Sequence, residues 1–340
     1  MPPKLLSSDQ SLQSCESNST PSVLSSPGLS DVSKHGPRLP FDTASEPTQD
    51  KRGLGWRLIL DGKRGAAENM AVDEAILRAC AQGIVPPTIR IYSWQRPSIS
   101  LGCLQSVTPE DLDLEYCRAN GIEVVRRITG GRAVVHGSDV TFSIAIKEAD
   151  LPEGCASVIA SHRWLMGGIV AGLRLLGIDA EIGNRSVRPQ RKWGLSQSVS
   201  GVDCPHFRDS MSDCFAYVAE CDVRVGRAKA VGSAQVRRFG AILEQGSMPY
   251  ASPGFDAARV FGRAARVADT CPLDRFSFAQ IADAVARGLQ DHLGTALEPA
   301  ELTLIEIEMA GGLARGRYGA DEWTMLRRKQ PSEASAGARN

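Results

Sequence analysis

The sequence lacks a net charge and a long apolar run. Its 340 residues carry 39 basic and 39 acidic side chains, so no overall positive field draws the chain to nucleic acid or to an anionic membrane. No apolar stretch approaches the roughly 18 residues of a membrane-spanning helix. We therefore expect neither nucleic acid nor a membrane among its partners.

Regular cysteine spacing and a signal-peptide pattern are also missing. The nine cysteines form an odd set without a repeated interval, which argues against a disulfide framework and indicates reduced thiols in the cytoplasm. Cys204, His206, Cys214 and Cys221 are residue types that bind zinc, but their spacing matches no common zinc pattern. We therefore expect no metal site.

The composition divides the chain into a core segment and two tails. Residues 1–52 are rich in Ser, Pro, Asp and Gln, and such a stretch buries too little apolar surface to offset its ordering entropy. Residues 329–340 are also polar. We predict a disordered N-terminal tail, one domain over residues 53–328 and a flexible C-terminal tail, rather than the two domains that the length alone suggests.

Between the tails, strand and helix patterns alternate without a regular βαβ rhythm, which favours an α+β sheet with helices on its outside. Thr108 is a possible N-cap of a helix that begins at Pro109. The predicted helices are Ala66–Cys80, Pro109–Asn120, Val158–Leu176, Asp274–His292 and Pro299–Leu313.

The segment Arg126–Gly137 (RRITGGRAVVHG) groups three arginines around a glycine pair. Glycine lets backbone N–H groups approach a ligand closely, and guanidiniums suit phosphate or carboxylate. The segment is not a P-loop, because no Gly-Lys-Ser/Thr follows, and it is not a dinucleotide fingerprint, because GxGxxG is absent. On these residues alone, it is either a substrate loop or a β-turn with solvated arginines.

Two further positions carry candidate chemistry. Lys229 is a lone lysine within Arg227–Gln235 (RAKAVGSAQ). A lysine among apolar neighbours can take part in proton transfer, whereas one on an edge strand can simply face solvent. Cys214 lies between Asp213 and Phe215, where a cysteine is either a small core residue or a nucleophile.

Taken together, these segments resemble a known superfamily. The elements RR-x-TGGRAV-x-H and K-x-x-GSAQ, in this order, are specific. The chain resembles the biotin/lipoate A/B protein ligase (BPL/LPL) superfamily and, within it, the cysteine-dependent LipM-type octanoyltransferases. The resemblance covers nearly everything outside the tails, through Gly55–Gly62, Ala66–Leu77, Ile89–Gln105, Arg126–Gly137, Asp213–Ala219, Lys229–Met248 and Arg317–Trp323.

The resemblance implies an α/β fold with one BPL/LPL catalytic domain, a mixed sheet with outer helices akin to the class II synthetase core. It also implies residue roles. Cys214 matches the nucleophile, and Lys229 matches the lysine that contacts the acyl carbonyl. The substrate-lining positions would be Arg127, Gly130, Gly131, Arg132, His136, Ser233, Ala234 and Gln235.

The implied reaction is octanoyl transfer in protein lipoylation. The octanoyl group would move from acyl carrier protein to a lysine of a lipoyl domain, such as glycine cleavage H protein or a 2-oxoacid dehydrogenase E2, through a Cys214 thioester. The Lys229 cation would stabilise the thiolate and the developing oxyanion. No cofactor is needed, and ATP would enter only in a ligase.

Two surfaces are expected around this site. The apolar acyl chain needs an apolar slot, for which Ile99, Leu101, Val134 and Val135 are candidates. Acidic partner proteins would meet a local basic patch. The candidate arginines for that patch are Arg126, Arg127, Arg132, Arg237 and Arg238.

Three alternatives remain open on the sequence. One is an ATP-dependent lipoate–protein ligase, but ligases of this superfamily usually carry GGGAV where this chain has Arg132, and Asn-Asp where it has Cys214. Another is an amidotransferase that moves octanoyl between lipoyl proteins. The third is a non-catalytic binding protein, because Asp213 replaces the usual Ser beside the nucleophile and Gly137 replaces the usual Asp after the motif His.

Overall fold

The computed structural model describes residues 55–108, 111–183, 215, 221–261 and 272–326. Its strands are β1 Trp56–Arg64, β2 Thr88–Trp94, β3 Ser98–Leu101, β4 Glu123–Arg126, β5 Val134–His136, β6 Asp139–Lys147, β7 Ala180–Ile182, β8 Val223–Val225, β9 Ala228–Arg238, β10 Ala241–Pro249 and β11 Leu297–Pro299. Its helices are α1 Ala66–Ala81, α2 Leu114–Ala119, α3 Val158–Leu175, α4 Ala257–Val260, α5 Phe278–Leu293, α6 Leu304–Leu313 and α7 Asp321–Thr324.

The strands form two sheets. The larger has the order β11-β1-β2-β6-β10-β9-β8-β7, in which β1 runs parallel to β2 and β11 while the other pairs are antiparallel. The smaller has the order β4-β3-β5, with β3 parallel to β4 and antiparallel to β5. Only Gly137 and Ser138 separate β5 from β6, so the two sheets meet at this point.

Helices cover both faces of the larger sheet. Because successive side chains on a strand point to opposite faces, Phe142 and Ile144 of β6 join a core cluster with α3 and α5. Ala145 instead joins a second cluster with α1 and α6. The predicted fold class, a mixed sheet with outer helices, is confirmed.

Helices α3 and α5 approach each other along small residues. A Cβ added to Gly288 would lie 2.0 Å from the backbone nitrogen of Gly172. The backbones therefore touch where any larger side chain would hold them apart. The two helices therefore pack at the shortest separation that their backbones allow.

The C-terminal segment is fixed to α1 by buried charge. Glu74 of α1 is fully buried and accepts hydrogen bonds from the Arg317 guanidinium at 2.7 Å and from the Tyr318 hydroxyl at 2.6 Å. Burial alone would raise the pKa of the Glu74 carboxyl, but the Arg317 charge and these hydrogen bonds lower it. The carboxylate is thus the charged anchor of this segment.

Three predicted helix starts are wrong. The helix predicted from Asp274 begins at Phe278. The predicted helix at Pro109 begins instead at Leu114, where the Asp113 side chain accepts from the Tyr116 N–H; residues 109–110 lie outside the described residues. The helix predicted from Pro299 begins at Leu304, because residues 297–299 form a strand parallel to β1.

The predicted tails, residues 1–52 and 329–340, lie outside the described residues, so the domain boundaries stay a prediction. In the described part, no helix is long and apolar enough to cross a membrane. The same part holds no group of three or more His, Cys, Asp or Glu side chains arranged to bind a metal ion.

Candidate active site

A pocket of about 400 Å³, part of it open to solvent, lies between the small sheet and the α1 face of the large sheet. Strands β2, β3, β5, β6, β9 and β10, helix α1 and the loop before β5 contribute to its walls. It is lined by Met70, Tyr92, Trp94, Ser100, Arg127, Gly131, Val134, His136, Thr141, Gly232, Ser233, Ala234, Gln245, Gly246 and Ser247.

Strand pairing brings Ser100 and His136 to the same wall of this pocket. In the β3–β5 register, Ser98 lies opposite His136 and Ser100 lies opposite Val134. Diagonal neighbours on one face of an antiparallel pair are within side-chain reach. Accordingly, Ser100 Oγ lies 2.8 Å from His136 Nε2.

The same alternation corrects the predicted apolar slot. Val134 lines the pocket, but Ile99 and Leu101 point to the opposite face of β3 and belong to a separate core cluster. Val135 packs against that cluster as well. The apolar pocket walls come instead from residues that include Met70 and Ala234.

Arg127 organises the glycine loop of the pocket. Its guanidinium donates to the carbonyls of Gly130 at 2.6 Å, Arg132 at 2.7 Å and Ser100 at 2.7 Å. A planar guanidinium has several donors in a fixed fork, so it can fix several carbonyls at once. Arg127 therefore shapes the loop from within, although it was predicted as a substrate-lining side chain; it also lines the pocket.

Two positions near the pocket accept only glycine, Gly131 because of its backbone conformation and Gly102 because of a close backbone contact. Gly131 has a positive φ of 88°, a conformation that favours glycine. A Cβ on Gly102 would lie 1.9 Å from the Gly131 carbonyl oxygen, so the residue that follows β3 contacts the loop backbone to backbone. For Gly130, no neighbour lies within 4 Å of an added Cβ.

Gln245 connects the loop to α1. Its side chain accepts from the Thr129 hydroxyl at 2.8 Å and donates to Asp73 at 2.6 Å. Asp73 is fully buried and also accepts from Arg90 at 2.7 Å and from the Tyr92 hydroxyl at 2.8 Å. Burial and the Asp73 charge raise the pKa of Tyr92 well above its usual value, so this phenol remains protonated.

Lys229 is buried beside the pocket wall formed by Gly232. Its Nζ lies 2.9 Å from Asp222 Oδ2 and 5.7 Å from the centroid of the Phe215 ring. A Cβ added to Gly232 would lie 3.3 Å from Lys229 Cε and 3.2 Å from Phe215 Cζ. The lysine is therefore held as a cation against the pocket wall, next to the residue that follows Cys214 in the chain.

Of the other predicted site residues, some line the pocket and some do not. Ser233 and Ala234 line the pocket, whereas Gln235 does not: it bonds to Ser161 and Glu244 on the α3 side of the sheet. Arg132 is half-buried and is not among the described lining residues. Cys214 lies outside the described residues.

Asp139 orients the His136 ring. Asp139 Oδ2 lies 2.7 Å from His136 Nδ1 and accepts from Thr141 at 2.8 Å and from Ser247 at 2.7 Å. Burial would raise the pKa of this carboxyl, but the adjacent His136, the Ser247 hydroxyl and the Gly137 N–H lower it. The family pattern has an Asp at the position of Gly137, and in this chain the carboxylate beside the histidine comes instead from Asp139, two residues later.

Sequence reasoning missed Ser100, Asp139, Gln245 and Asp222 as site residues. Ser100 alternates with apolar residues in SISL, a pattern that identifies a strand but not a pocket. Asp139 carried one signal, since it lies three residues after His136 at the start of a strand that is rich in apolar residues. A buried polar residue in such a strand needs a partner.

The predicted basic patch is wrong for two of its members. Arg126 and Arg127 are buried, and Arg126 donates to the carbonyls of Gly102, Gln105 and Thr324. Guanidiniums that satisfy buried carbonyls cannot also meet an acidic partner at the surface.

Comparison with known proteins places the chain in a family. The model of the lipoyl protein ligase A/B catalytic domain matches residues 65–301. The octanoyltransferase LipM of Symbiobacterium thermophilum is 36% identical over 289 residues, covering 79% of this chain and 98% of its own. That of Kyrpidia tusciae is 37% identical over 283 residues, covering 79% and 97%.

Solved structures of lipoate-protein ligases match the same fold. A lipoate-protein ligase A bound with ATP matches with a TM-score of 0.62 and 26% identity, covering 80% of this chain and 99% of its own. A bipartite lipoate protein ligase from Thermoplasma acidophilum, described with its E2 lipoyl domain, matches with a TM-score of 0.60 and 27% identity, covering 82% and 99%. The chain therefore belongs to the lipoyl protein ligase A/B catalytic domain family of the BPL/LPL superfamily, and it is an acyltransferase enzyme.

Proposed function

We propose that this acyltransferase acts in protein lipoylation, moving octanoyl from acyl carrier protein to a lysine of a lipoyl domain through a thioester on Cys214. The acceptor would be a glycine cleavage H protein or a 2-oxoacid dehydrogenase E2. The relatives named octanoyltransferase support the acyl group and the reaction class. The reaction would need neither a metal nor ATP, because the thioester donor is already activated.

The observation that carries the proposal is the contact of Lys229 and Phe215 with Gly232. Both side chains pack against this one residue of the pocket wall, and Phe215 directly follows Cys214 in the sequence. A cation held at a pocket wall stabilises a thiolate and an oxyanion, and this electrostatic stabilisation is strongest where water is excluded. Lys229, about 7% exposed, meets that condition.

The chemistry balances in two steps. The Cys214 thiolate attacks the thioester carbonyl, a new C–S bond forms, the C–S bond to the carrier breaks, and the carrier leaves as a thiol after taking up the proton that Cys214 had lost. The acceptor lysine amine then attacks the octanoyl–Cys214 carbonyl; a C–N bond forms, the C–S bond breaks, and the products are an amide and the free Cys214 thiol. Thioester exchange costs little, whereas amide formation drives transfer forward.

The pocket suits such an acyl chain. Its lining combines apolar groups, such as Met70, Val134 and Ala234, with a few polar side chains that include Ser100 and His136. Small-molecule sites generally pair apolar walls with few convergent polar groups. The apolar walls would meet the hydrocarbon chain.

The test is to incubate the enzyme with octanoyl acyl carrier protein and an apo lipoyl domain without ATP and to follow both proteins by intact mass. We expect a hydroxylamine-labile octanoyl adduct on the enzyme and a stable adduct on the acceptor. Cys214→Ala should abolish both, because no other group would carry the thioester.

A matched control is Cys155→Ala, since Cys155 is a free, half-buried cysteine whose described contacts lie away from the pocket lining. This variant should retain both adducts. Strict dependence on ATP would favour the ligase alternative and contradict the proposal, as would full transfer by Cys214→Ala. An octanoyl-lipoyl domain that donates as well as the carrier protein would favour the amidotransferase alternative.

A further inference from the structure

The proposed reaction leaves one proton without an assigned acceptor. A lysine in neutral water is an ammonium, with an ordinary pKa of about 10.4, so a group in the pocket has to take up a proton when the acceptor attacks. Lys229 is ill-suited to this because its ion pair with Asp222 at 2.9 Å holds it as a cation. The base therefore has to come from elsewhere in the pocket.

The lining residues offer one suitable base. Three of the described lining side chains are ionisable: Tyr92, Arg127 and His136. Arginine does not deprotonate in proteins, and the hydroxyl of Tyr92 already donates to Asp73. Histidine is the residue type that exchanges protons near neutral pH. His136 is thus the base that the described pocket offers.

His136 is part of an ordered series of hydrogen bonds. Asp139 Oδ2 lies 2.7 Å from His136 Nδ1, and His136 Nε2 lies 2.8 Å from Ser100 Oγ. A carboxylate only accepts, so Nδ1 of the neutral ring carries the hydrogen and Nε2 accepts from the Ser100 hydroxyl. The Arg127 guanidinium donates to the same Ser100 oxygen at 3.2 Å, which keeps the serine hydrogen directed at the histidine.

The surroundings hold this series in place. Trp94 stacks on the His136 ring with centroids 3.9 Å apart, and its indole N–H donates to Thr141 at 2.8 Å. Thr141 in turn donates to Asp139. The ring is therefore fixed in plane and in tautomer, which is how a carboxylate orients a catalytic imidazole.

We propose that Ser100, His136 and Asp139 form a proton relay for the attack of the acceptor lysine, an inference that rests on the proposed function. As the acceptor enters, its ammonium passes a proton to Ser100 Oγ while the Ser100 hydroxyl proton moves to His136 Nε2, which leaves a neutral amine. When the C–N bond forms and the C–S bond breaks, a second nitrogen proton goes to the Cys214 thiolate, and His136 then releases its proton to solvent. Ser100 touches the reacting amine, whereas His136 acts through it and Asp139 is a positioning residue.

The test separates the two half-reactions in the full-length enzyme. Ser100→Ala should form the octanoyl–Cys214 adduct at the wild-type rate, because that step does not use the relay. Its transfer to the apo lipoyl domain should slow by about 100-fold, at the lower end of what general-base catalysis contributes. Hydroxylamine, a nucleophile that is uncharged at neutral pH, should discharge wild type and variant equally.

Two further variants keep the test sharp. Ser98→Ala is a matched control. Ser98 lies on the same strand and is also buried, and among the described residues its hydroxyl donates to the nearby Arg96 carbonyl at 2.9 Å; this variant should transfer normally. Asp139→Asn nearly keeps the shape of the side chain but changes its hydrogen bond with His136 Nδ1. It should therefore also slow transfer to the acceptor lysine without slowing adduct formation.

Each other outcome overturns the relay. Wild-type lysine transfer by Ser100→Ala would show that the hydroxyl carries no proton. Equal slowing of the hydroxylamine reaction, or loss of adduct formation in the variant, would show a structural role only. If the wild-type enzyme forms no Cys214 adduct at all, the proposed function itself fails, and the relay fails with it.

Discussion

At the scale of single residues, the buried pair Lys229 and Asp222 combines two roles. The ion pair at 2.9 Å stabilises the fold locally, because either charge alone would be costly at this depth. The same cation lies against the pocket wall at Gly232. A single substitution of Lys229 therefore changes stability and chemistry together, and only a paired substitution separates them.

We predict that Lys229→Ala slows octanoyl transfer by about 100-fold, the effect of losing one oxyanion-stabilising group, and also lowers stability by leaving Asp222 buried without this partner. Adding Asp222→Asn should restore the melting temperature but not the rate. Single-turnover mass measurements and thermal unfolding of the three variants check this. A wild-type rate in the double variant would contradict the assigned role of Lys229.

At the scale of elements, the contact between α3 and α5 sets a steric limit. We predict that Gly288→Ala lowers the free energy of unfolding by about 1–3 kcal/mol or more, because its Cβ would meet the backbone of Gly172 at 2.0 Å rather than a movable side chain. Denaturant unfolding measures the change.

A glycine in α6 provides the control for this prediction. For Gly312, no neighbour lies within 4 Å of an added Cβ, so Gly312→Ala should leave stability unchanged or raise it by up to about 1 kcal/mol through helix propensity. Equal effects of the two substitutions would show that the helices separate freely at Gly288.

Elements were predictable where the chain patterns are periodic. The helices at Ala66–Ala81 and Val158–Leu175 follow apolar spacing and start within a residue of their predicted positions. The start of α2 was mispredicted because Thr108 and Asp113 both offer a local cap signal, and the sequence does not decide between them. In the structure, a hydrogen bond from the Asp113 N–H to the Val260 carbonyl, far away in sequence, supports the second cap.

The candidate site shows the same division. Motifs indicated His136 and Lys229, and the structure places both at the pocket or its wall. Ser100 needed the β3–β5 register, which no local pattern contains. Gln235, in contrast, belongs to a matching motif, yet strand alternation turns it toward α3. The sequence thus indicated which strands build the site, but not which of their side chains face the pocket.

At the scale of the whole molecule, buried carboxylates link stability to pH. Glu74 has a pKa below the ordinary value of 4.5, so the unfolded chain binds a proton more readily than the folded one. This stabilisation is fully present above pH 4.5 and is lost as the pH falls through the lowered folded-state pKa. We expect acid to weaken the attachment of the C-terminal segment to α1.

Glu74→Gln tests this expectation. Near neutral pH it should destabilise the enzyme by about 3 kcal/mol, because Arg317 remains buried without its countercharge. The difference from wild type should shrink as the pH falls below 4.5. Denaturant unfolding at several pH values measures both effects, and Glu298→Gln, at an exposed position, is the control. A difference that is independent of pH would contradict the assignment.

The stacking of Trp94 on His136 has an optical consequence. An indole in ring contact with an imidazole loses fluorescence when the imidazole becomes positively charged, and these two rings lie 3.9 Å apart. The chain has five tryptophans, so subtracting the emission of a Trp94→Phe variant isolates this one. The fluorescence of Trp94 therefore reports the charge on His136 in solution without an added label.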